Sequence, residues 1–298
     1  MKFGKVDDPE KIDFSLPKTH PATYEVLHDA EQRPFEVYVG CAKWNKQDLK
    51  GFYPRGTKDE LVYYATQFNS IELNGTFYNS PSKQQVETWE AKTPDGFKFF
   101  PKIPQTISHY GRLKNVKEKT LEFTDAVALF GEKLGPSFLQ LIDNYKPKDF
   151  DRVQAFVEEF PKGIPLAVEV RNEEWFSDKG VFERYTMLLE NNQVANIIVD
   201  TAGRRDMLHM RLTTASAFVR YVGANHPTDY QRLDDWLQRI AEWRKEGLQS
   251  LYFFIHQNVE LESPLLAAYF IGKLNALFDL HLEVPNSRAN GEQGKLGL

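Results

Sequence analysis

Leu166-Ala167-Val168-Glu169-Val170-Arg171-Asn172-Glu173-Glu174-Trp175-Phe176 is the stretch whose reading decides the fold of this 298-residue chain. Side chains alternate across a strand, so Glu169 and Arg171 share one face while Leu166, Val168 and Val170 share the other. A face that carries an acid and a base ahead of an aromatic turn does not suit a plain apolar core. The pattern points to a polar-lined interior, such as the mouth of a barrel.

Outward from this segment, short β-like runs alternate with helix-like segments. Strands are expected at 36–41, 70–73, 97–102, 138–142, 166–171, 196–200, 218–222 and 251–256. Between them, Thr57-Lys58-Asp59-Glu60 reads as a capping box, and Pro81-Ser82 as a helix start. Residues 117–134 read as one long amphipathic helix stopped by Gly135-Pro136, followed by helices at 150–160, 181–191, 230–245 and 264–278. The link 202–215 is the least regular. Alternation at roughly 30-residue spacing favours α/β over separate α and β domains. Eight strands favour a single (β/α)8 TIM barrel, a fold that typically takes ~250 residues. An open doubly wound sheet is the rival, but no Gly-x-Gly-x-x-Gly follows the first strand. The expected organisation is an N-terminal arm at 1–34, with Phe14 and Leu16 as anchors, a barrel at 35–284, and a disordered Gly- and Asn-rich tail at 285–298.

Composition narrows the function. A formal charge of −5 argues against a phosphate-coating surface, so nucleic acid is not an expected partner. Cys41 is the one cysteine, which excludes an intramolecular disulfide and fits a reducing compartment; it is expected to be a small buried residue. Met1-Lys2 leads into Asp7, Asp8 and Glu10 rather than an apolar run, and apolar runs such as 251–255 are too short to span a bilayer. A cytoplasmic protein without a membrane segment is expected.

In a barrel, function sits at the C-terminal ends of the strands, and polar residues collect there. Lys43 and Trp44 follow the first strand, Glu72, Asn74 and Tyr78 the second, and Lys102 and His109 the third. Gln140 lies on the fourth, Glu169, Arg171 and Trp175 at the fifth, Asp200 at the sixth, Arg220 at the seventh and His256 at the eighth. Glu72, Glu169, His109 and Asp200 are the candidate acid/base groups. Lys43, Lys102, Arg171 and Arg220 suit an anionic ligand, because arginine forks match phosphate and carboxylate. Asn74, Gln140 and His256 would orient it, and Trp44, Tyr78, Tyr110 and Trp175 would wall the pocket. The pair Glu72 and Glu169 also leaves glycosidase-type chemistry open. No His-x-His or His-Glu-x-x-His is present, and Lys102 and Arg171 would repel a cation, so neither a metal nor another cofactor is expected. The same charges could instead form a neutralised structural plug.

The chain resembles the family known as domain of unknown function 72. The resemblance rests on Gly40-Cys41-Ala42-Lys43-Trp44, Phe52-Tyr53-Pro54, Glu72-Leu73-Asn74-Gly75-Thr76-Phe77-Tyr78, Leu139-Gln140-Leu141 and Val168-Glu169-Val170-Arg171, in that order, over about residues 36–280. It implies a TIM-like barrel with a site at these residues and no established reaction. Three departures stand out. Ile142-Asp143-Asn144 replaces the double proline usual in the family, Tyr221-Val222-Gly223 lacks the usual His, and His256-Gln257-Asn258 replaces paired asparagines. The expected function is an enzyme-like barrel, a hydrolase or lyase using carboxylate acid/base chemistry on a small anionic group. The alternatives are metal-dependent phosphodiester processing and a non-catalytic binding protein.

Overall fold

A computed structural model describes residues 4–31 and 33–286. The β-like runs resolve into β1 (Glu36–Cys41), β2 (Ser70–Leu73), β3 (Lys98–Pro101), β4 (Ser137–Gln140), β5 (Leu166–Glu169), β6 (Ala195–Asn196), β7 (Ile198–Asp200), β8 (Ser216–Gly223) and β9 (Ser250–Gln257). All ladders are parallel, in sheets of order β1-β9-β8-β7, β2-β3 and β4-β5-β6. Parallel neighbours need crossovers, which helices such as Lys83–Ala91, Phe150–Glu159, Lys179–Asn191 and Thr228–Lys245 provide. The molecule is an α/β protein with parallel sheets.

The expected sixth strand is split at Ile197, and no closed ladder runs through all the strands described. Three seams hold the sheets together instead. Isolated parallel bridges join Phe99 to Leu134 and Lys102 to Phe138. Ile197 N–H donates to Val168 O at 2.9 Å. The Asn69 amide stitches β1 to β2, accepting from Val39 N at 3.0 Å and donating to Val37 O at 2.7 Å. The two strands approach so closely there that a Cβ on Gly40 would lie 2.2 Å from Ser70 O.

Period-2 alternation divides the strands between two apolar cores. Val39, Ile71, Phe99, Leu139, Val168, Ile198, Val219 and Phe253 join the larger one, with helix residues such as Phe123, Trp236 and Phe270. Their chain neighbours Phe100, Phe138, Ala167, Ile197, Val199, Phe218 and Phe254 form the smaller one on the opposite face. Cys41 is buried in the larger core.

Two helix starts and ends differ from expectation. The helix Glu60–Tyr64 is capped by Asp59, whose carboxylate accepts from Leu61 N and Val62 N, whereas Thr57 Oγ1 donates to Pro54 O. The long segment is α-helical only over Lys117–Val127 and continues as a 3-10 helix through Ala128–Lys133, where Gly131 adopts a φ of 54°. Ser82 caps the helix Lys83–Ala91 by accepting from Gln85 N.

Between β7 and β8 the chain forms only a 3-10 turn, Arg205–Met207, in place of a crossover helix. The N-terminal arm covers that gap. Its helix Pro21–His28 buries Thr23, whose Oγ1 donates to Met210 O at 3.1 Å and accepts from Leu212 N at 3.0 Å. Trp243 Nε1 donates to Thr19 Oγ1 at 2.9 Å. The ring of Phe14 lies 4.4 Å from the Arg232 guanidinium, and Leu16 packs against the larger core. At the other terminus Asn286 N donates to Gln67 Oε1 at 2.9 Å. The rest of the expected tail, 287–298, lies outside the described residues. Among the described residues no helix is long and apolar enough to cross a membrane.

Thr23→Val keeps the shape of the arm but strands Leu212 N without a partner and leaves Met210 O with His20 N alone. The expected loss is about 1–3 kcal/mol of unfolding free energy, measured by urea denaturation. An unchanged midpoint would show that the arm does not unfold with the body.

Candidate functional site

Five apolar side chains of the smaller core are each followed, two residues on, by a polar one on the same face. Phe100 precedes Lys102, Phe138 precedes Gln140, Ala167 precedes Glu169, Phe218 precedes Arg220 and Phe254 precedes His256. β2 contributes Glu72. The polar residues therefore gather beyond the smaller core, toward the C-terminal ends of their strands, with Arg220 set deeper inside β8.

Arg220 is the centre of the group. Its Nε and Nη2 donate to Glu72 Oε2 and Oε1 at 2.8 and 2.9 Å, and its Nη1 donates to Glu169 Oε2 at 2.5 Å. The remaining oxygen of Glu169 accepts from Arg171 Nε at 2.5 Å and from Gln140 Nε2 at 3.0 Å. Gln140 Oε1 in turn accepts from Lys102 Nζ at 2.8 Å. Glu72 also accepts from Asn74 Nδ2 at 2.7 Å and lies 3.0 Å from His256 Nε2. A carboxylate only accepts, so His256 presents an N–H there. Glu72, Lys102, Gln140, Glu169 and Arg220 are all buried.

Burial raises the affinity of Glu72 for a proton, but Arg220 and His256 outweigh it and hold the carboxyl well below its usual range. The balance at Glu169 is similar, with burial opposed by Arg171 and Arg220, and brings it to about 2. Both are anions at neutral pH. For Lys102, burial and then Arg220 pull the amine down to about 7. His109 is lowered to about 4 by burial and by Lys102, so its imidazole is neutral. A cleft of about 370 Å³ opens over the group, lined by Lys5, Arg171, Arg220, Val222, His256, Gln257, Asn258 and Glu260.

The other sequence candidates lie elsewhere. Asp200 is buried in a second ion cluster: Arg232 Nη2 donates to its Oδ1 at 2.8 Å and Trp236 Nε1 to its Oδ2 at 2.7 Å, with Arg205 on Oδ1 as well. Burial raises Asp200, but Arg232 and Arg205 outweigh it and keep the carboxyl low. Arg205 also donates to Phe14 O and Ser15 O, so this cluster ties the arm to β7. Trp175 is fully buried against Phe150 and Tyr185 and donates to Tyr145 O at 2.7 Å. Tyr78 and Tyr110 are exposed. Trp44 packs edge-on to Trp89, and Lys43 pairs with Asp48 at 3.4 Å. His109 stands beside the cluster, with Ser108 Oγ 2.9 Å from its Nδ1 and the ring of Phe77 4.8 Å away.

Sequence reasoning missed Lys5 and Glu260 in the cleft. Glu260 Oε1 is 3.9 Å from His256 Nδ1, and its place just past the end of the last expected strand was the available signal. Lys5 had no such signal. Among the described residues no group of three or more His, Cys, Asp or Glu has the geometry to hold a metal ion.

These features define an α/β protein with a buried, arginine-centred ion cluster at the ends of parallel strands. A family model described as a protein of unknown function, DUF72, matches residues 38–289, and the chain belongs to that family. The UPF0759 protein YecE of Escherichia coli (strain K12) is 26% identical over 252 residues, covering 77% of this chain and 89% of that one. The UPF0759 protein YunF of Bacillus subtilis (strain 168) is 27% identical over 150 residues, covering 47% and 52%. A solved DUF72 family protein from Enterococcus faecalis V583 superposes with a TM-score of 0.66 at 18% identity, covering 81% of this chain and 98% of that one, a likeness of fold. The arm precedes the matched segment.

Glu169→Ala leaves Arg220 and Arg171 facing an empty site and is expected to cost about 3–5 kcal/mol of stability in denaturant titration. The pH response is a separate test. The folded pKa of Glu169 lies below its ordinary 4.5, so its stabilisation is complete above 4.5 and is lost as pH falls toward about 2. Glu169→Gln is expected to flatten the acid limb in that window. An unchanged limb would show that Glu169 is not held ionised.

Proposed function

We propose that the sheets are arcs of one (β/α)8 barrel spanning 35–284, and that the arginine-centred cluster floors a site for a small ligand bearing a phosphate or carboxylate. The barrel reading is supported by parallel ladders throughout, by the bridges and side-chain stitches at the seams, and by an inner core drawing on β3 through β9. The described residues of the 1–34 segment, Phe14 to His28 above all, act as an arm that completes its outer layer.

One observation carries the ligand reading. Inside the cluster Glu72 and Glu169 are engaged by Arg220 and Arg171, Asp143 lies 3.9 Å from Arg171, and Lys102 has the Gln140 amide rather than a carboxylate as its partner. The cleft above presents Arg171, Arg220 and Lys5 against Glu260. An anion entering it would meet the guanidiniums of Arg171 and Arg220 and the amine of Lys5 in a partly desolvated space, where Coulomb forces are strong. Arg171 is the anion-binding residue in this proposal, Glu169 holds it in place, and Gln140 and Asn74 fix the surrounding carboxylates. A carboxylate held ionised suits a base or a charge partner rather than a proton donor.

A second reading has its own support. Every oxygen of Glu72 and Glu169 is already hydrogen-bonded, as a purely structural plug requires. Titration with inorganic phosphate and with small carboxylates, followed by calorimetry and melting temperature, separates the two. The expected result is saturable binding that raises the melting temperature, weakened roughly tenfold or more by Arg171→Ala, as loss of a charged hydrogen bond implies. Absence of any anion-dependent stabilisation would leave the plug.

A further inference from the structure

Lys102 is the member of the buried cluster whose charge the two carboxylates do not claim. Arg220 spans Glu72 and Glu169, and Arg171 takes the other oxygen of Glu169. Among the described residues no carboxylate lies within ion-pair distance of Lys102 Nζ. Its hydrogen bond goes to the uncharged amide oxygen of Gln140, and the face of Phe77 lies 4.2 Å away. A buried ammonium beside guanidiniums is disfavoured twice, by lost hydration and by like-charge repulsion. Losing its proton relieves both, and a neutral amine can still donate to Gln140 while its lone pair stays unused. The downward displacement of Lys102 to about 7, set by burial and then Arg220, has these two causes. Lysines desolvated next to another cation are the ones that attack carbonyl carbons.

We propose that Lys102 is a nucleophilic amine that forms an imine with a small aldehyde or ketone carrying a carboxylate or phosphate, the anionic group being held by Arg171. The anion half rests on the function proposed above; the amine half does not. In the reaction the Nζ lone pair adds to the carbonyl carbon. The two amine hydrogens leave with the carbonyl oxygen as water, and a C=N bond remains, with nothing oxidised or reduced. Gln140, bridging Lys102 Nζ and Glu169 Oε1 at 2.8 and 3.0 Å, is a positioning residue that aims the amine.

Lys102 does not line the cleft itself and keeps 8% of its surface, so a two-carbon probe is appropriate. The full-length protein is incubated near neutral pH with glyoxylate or acetaldehyde and cyanoborohydride, which reduces the imine to a stable amine, and peptides are mapped by mass. Lys179, with 89% of its side chain exposed, is the internal reference. Glyoxylate is expected to label Lys102 roughly tenfold faster than Lys179, given the larger fraction of neutral amine. The Lys102 rate is expected to be half-maximal near pH 7, following its titration at about 7. The Lys102-to-Lys179 ratio should be lower with acetaldehyde. Labelling of Lys102 no faster than Lys179 by either aldehyde overturns the proposal. An equal ratio with both aldehydes upholds the amine and overturns the anion subsite, so the two halves fail separately.

Discussion

The Arg220 guanidinium binds two buried carboxylates from strands far apart in sequence, Glu72 and Glu169, and the polar end of the strand assembly is organised around it. Burying a side chain of this charge is costly unless it is paired and hydrogen-bonded. Here the fork fits both oxygens of Glu72 while its remaining terminal nitrogen reaches Glu169. The carboxylates then impose order on their neighbours: Asn74 and His256 gather on Glu72, and Arg171 and Gln140 on Glu169. Once those oxygens are saturated, Lys102 is left with an amide rather than an anion. The unusual electrostatics of the lysine are thus a consequence of how well the arginine is satisfied.

The period-2 rule explains what was legible in the sequence. Glu169 and Arg171 share a face in the structure as their spacing requires, and Glu169 Oε1 accepts from Arg171 Nε. The same rule placed Glu72, Gln140, Arg220 and His256 near the ends of their strands. It could not decide Asp200. In the run 196–200 the residues next to Asp200 are apolar on both faces, Ile198 on its own face and Ile197 and Val199 on the other, and the ladder breaks at Ile197. Ile197 and Val199 join the inner core, while Ile198 joins the outer one and Asp200 pairs with Arg232 of the outer helix. Nothing in a sequence run of that length reveals which way the strand is turned.

Two further features were hidden for a different reason. Trp175 and Arg232 meet their partners through the outer layer, where contacts depend on how helices lie against strands rather than on strand periodicity. Lys5 reaches the cleft because Gly4 sits against Thr201, so close that a Cβ on Gly4 would fall 1.6 Å from Thr201 Oγ1. Such an approach between residues almost two hundred positions apart leaves no local imprint in composition.

The arm that substitutes for the absent crossover helix also sets an order of events. Its Thr23 and Thr19 bond Met210, Leu212 and Trp243, partners 187, 189 and 224 residues away in sequence. The arm therefore has these partners only once the chain has been made through Trp243, and contacts so distant in sequence form slowly. Until then the edge left by Arg205–Met207 lacks that cover, so docking of the arm is a late, long-range step of folding.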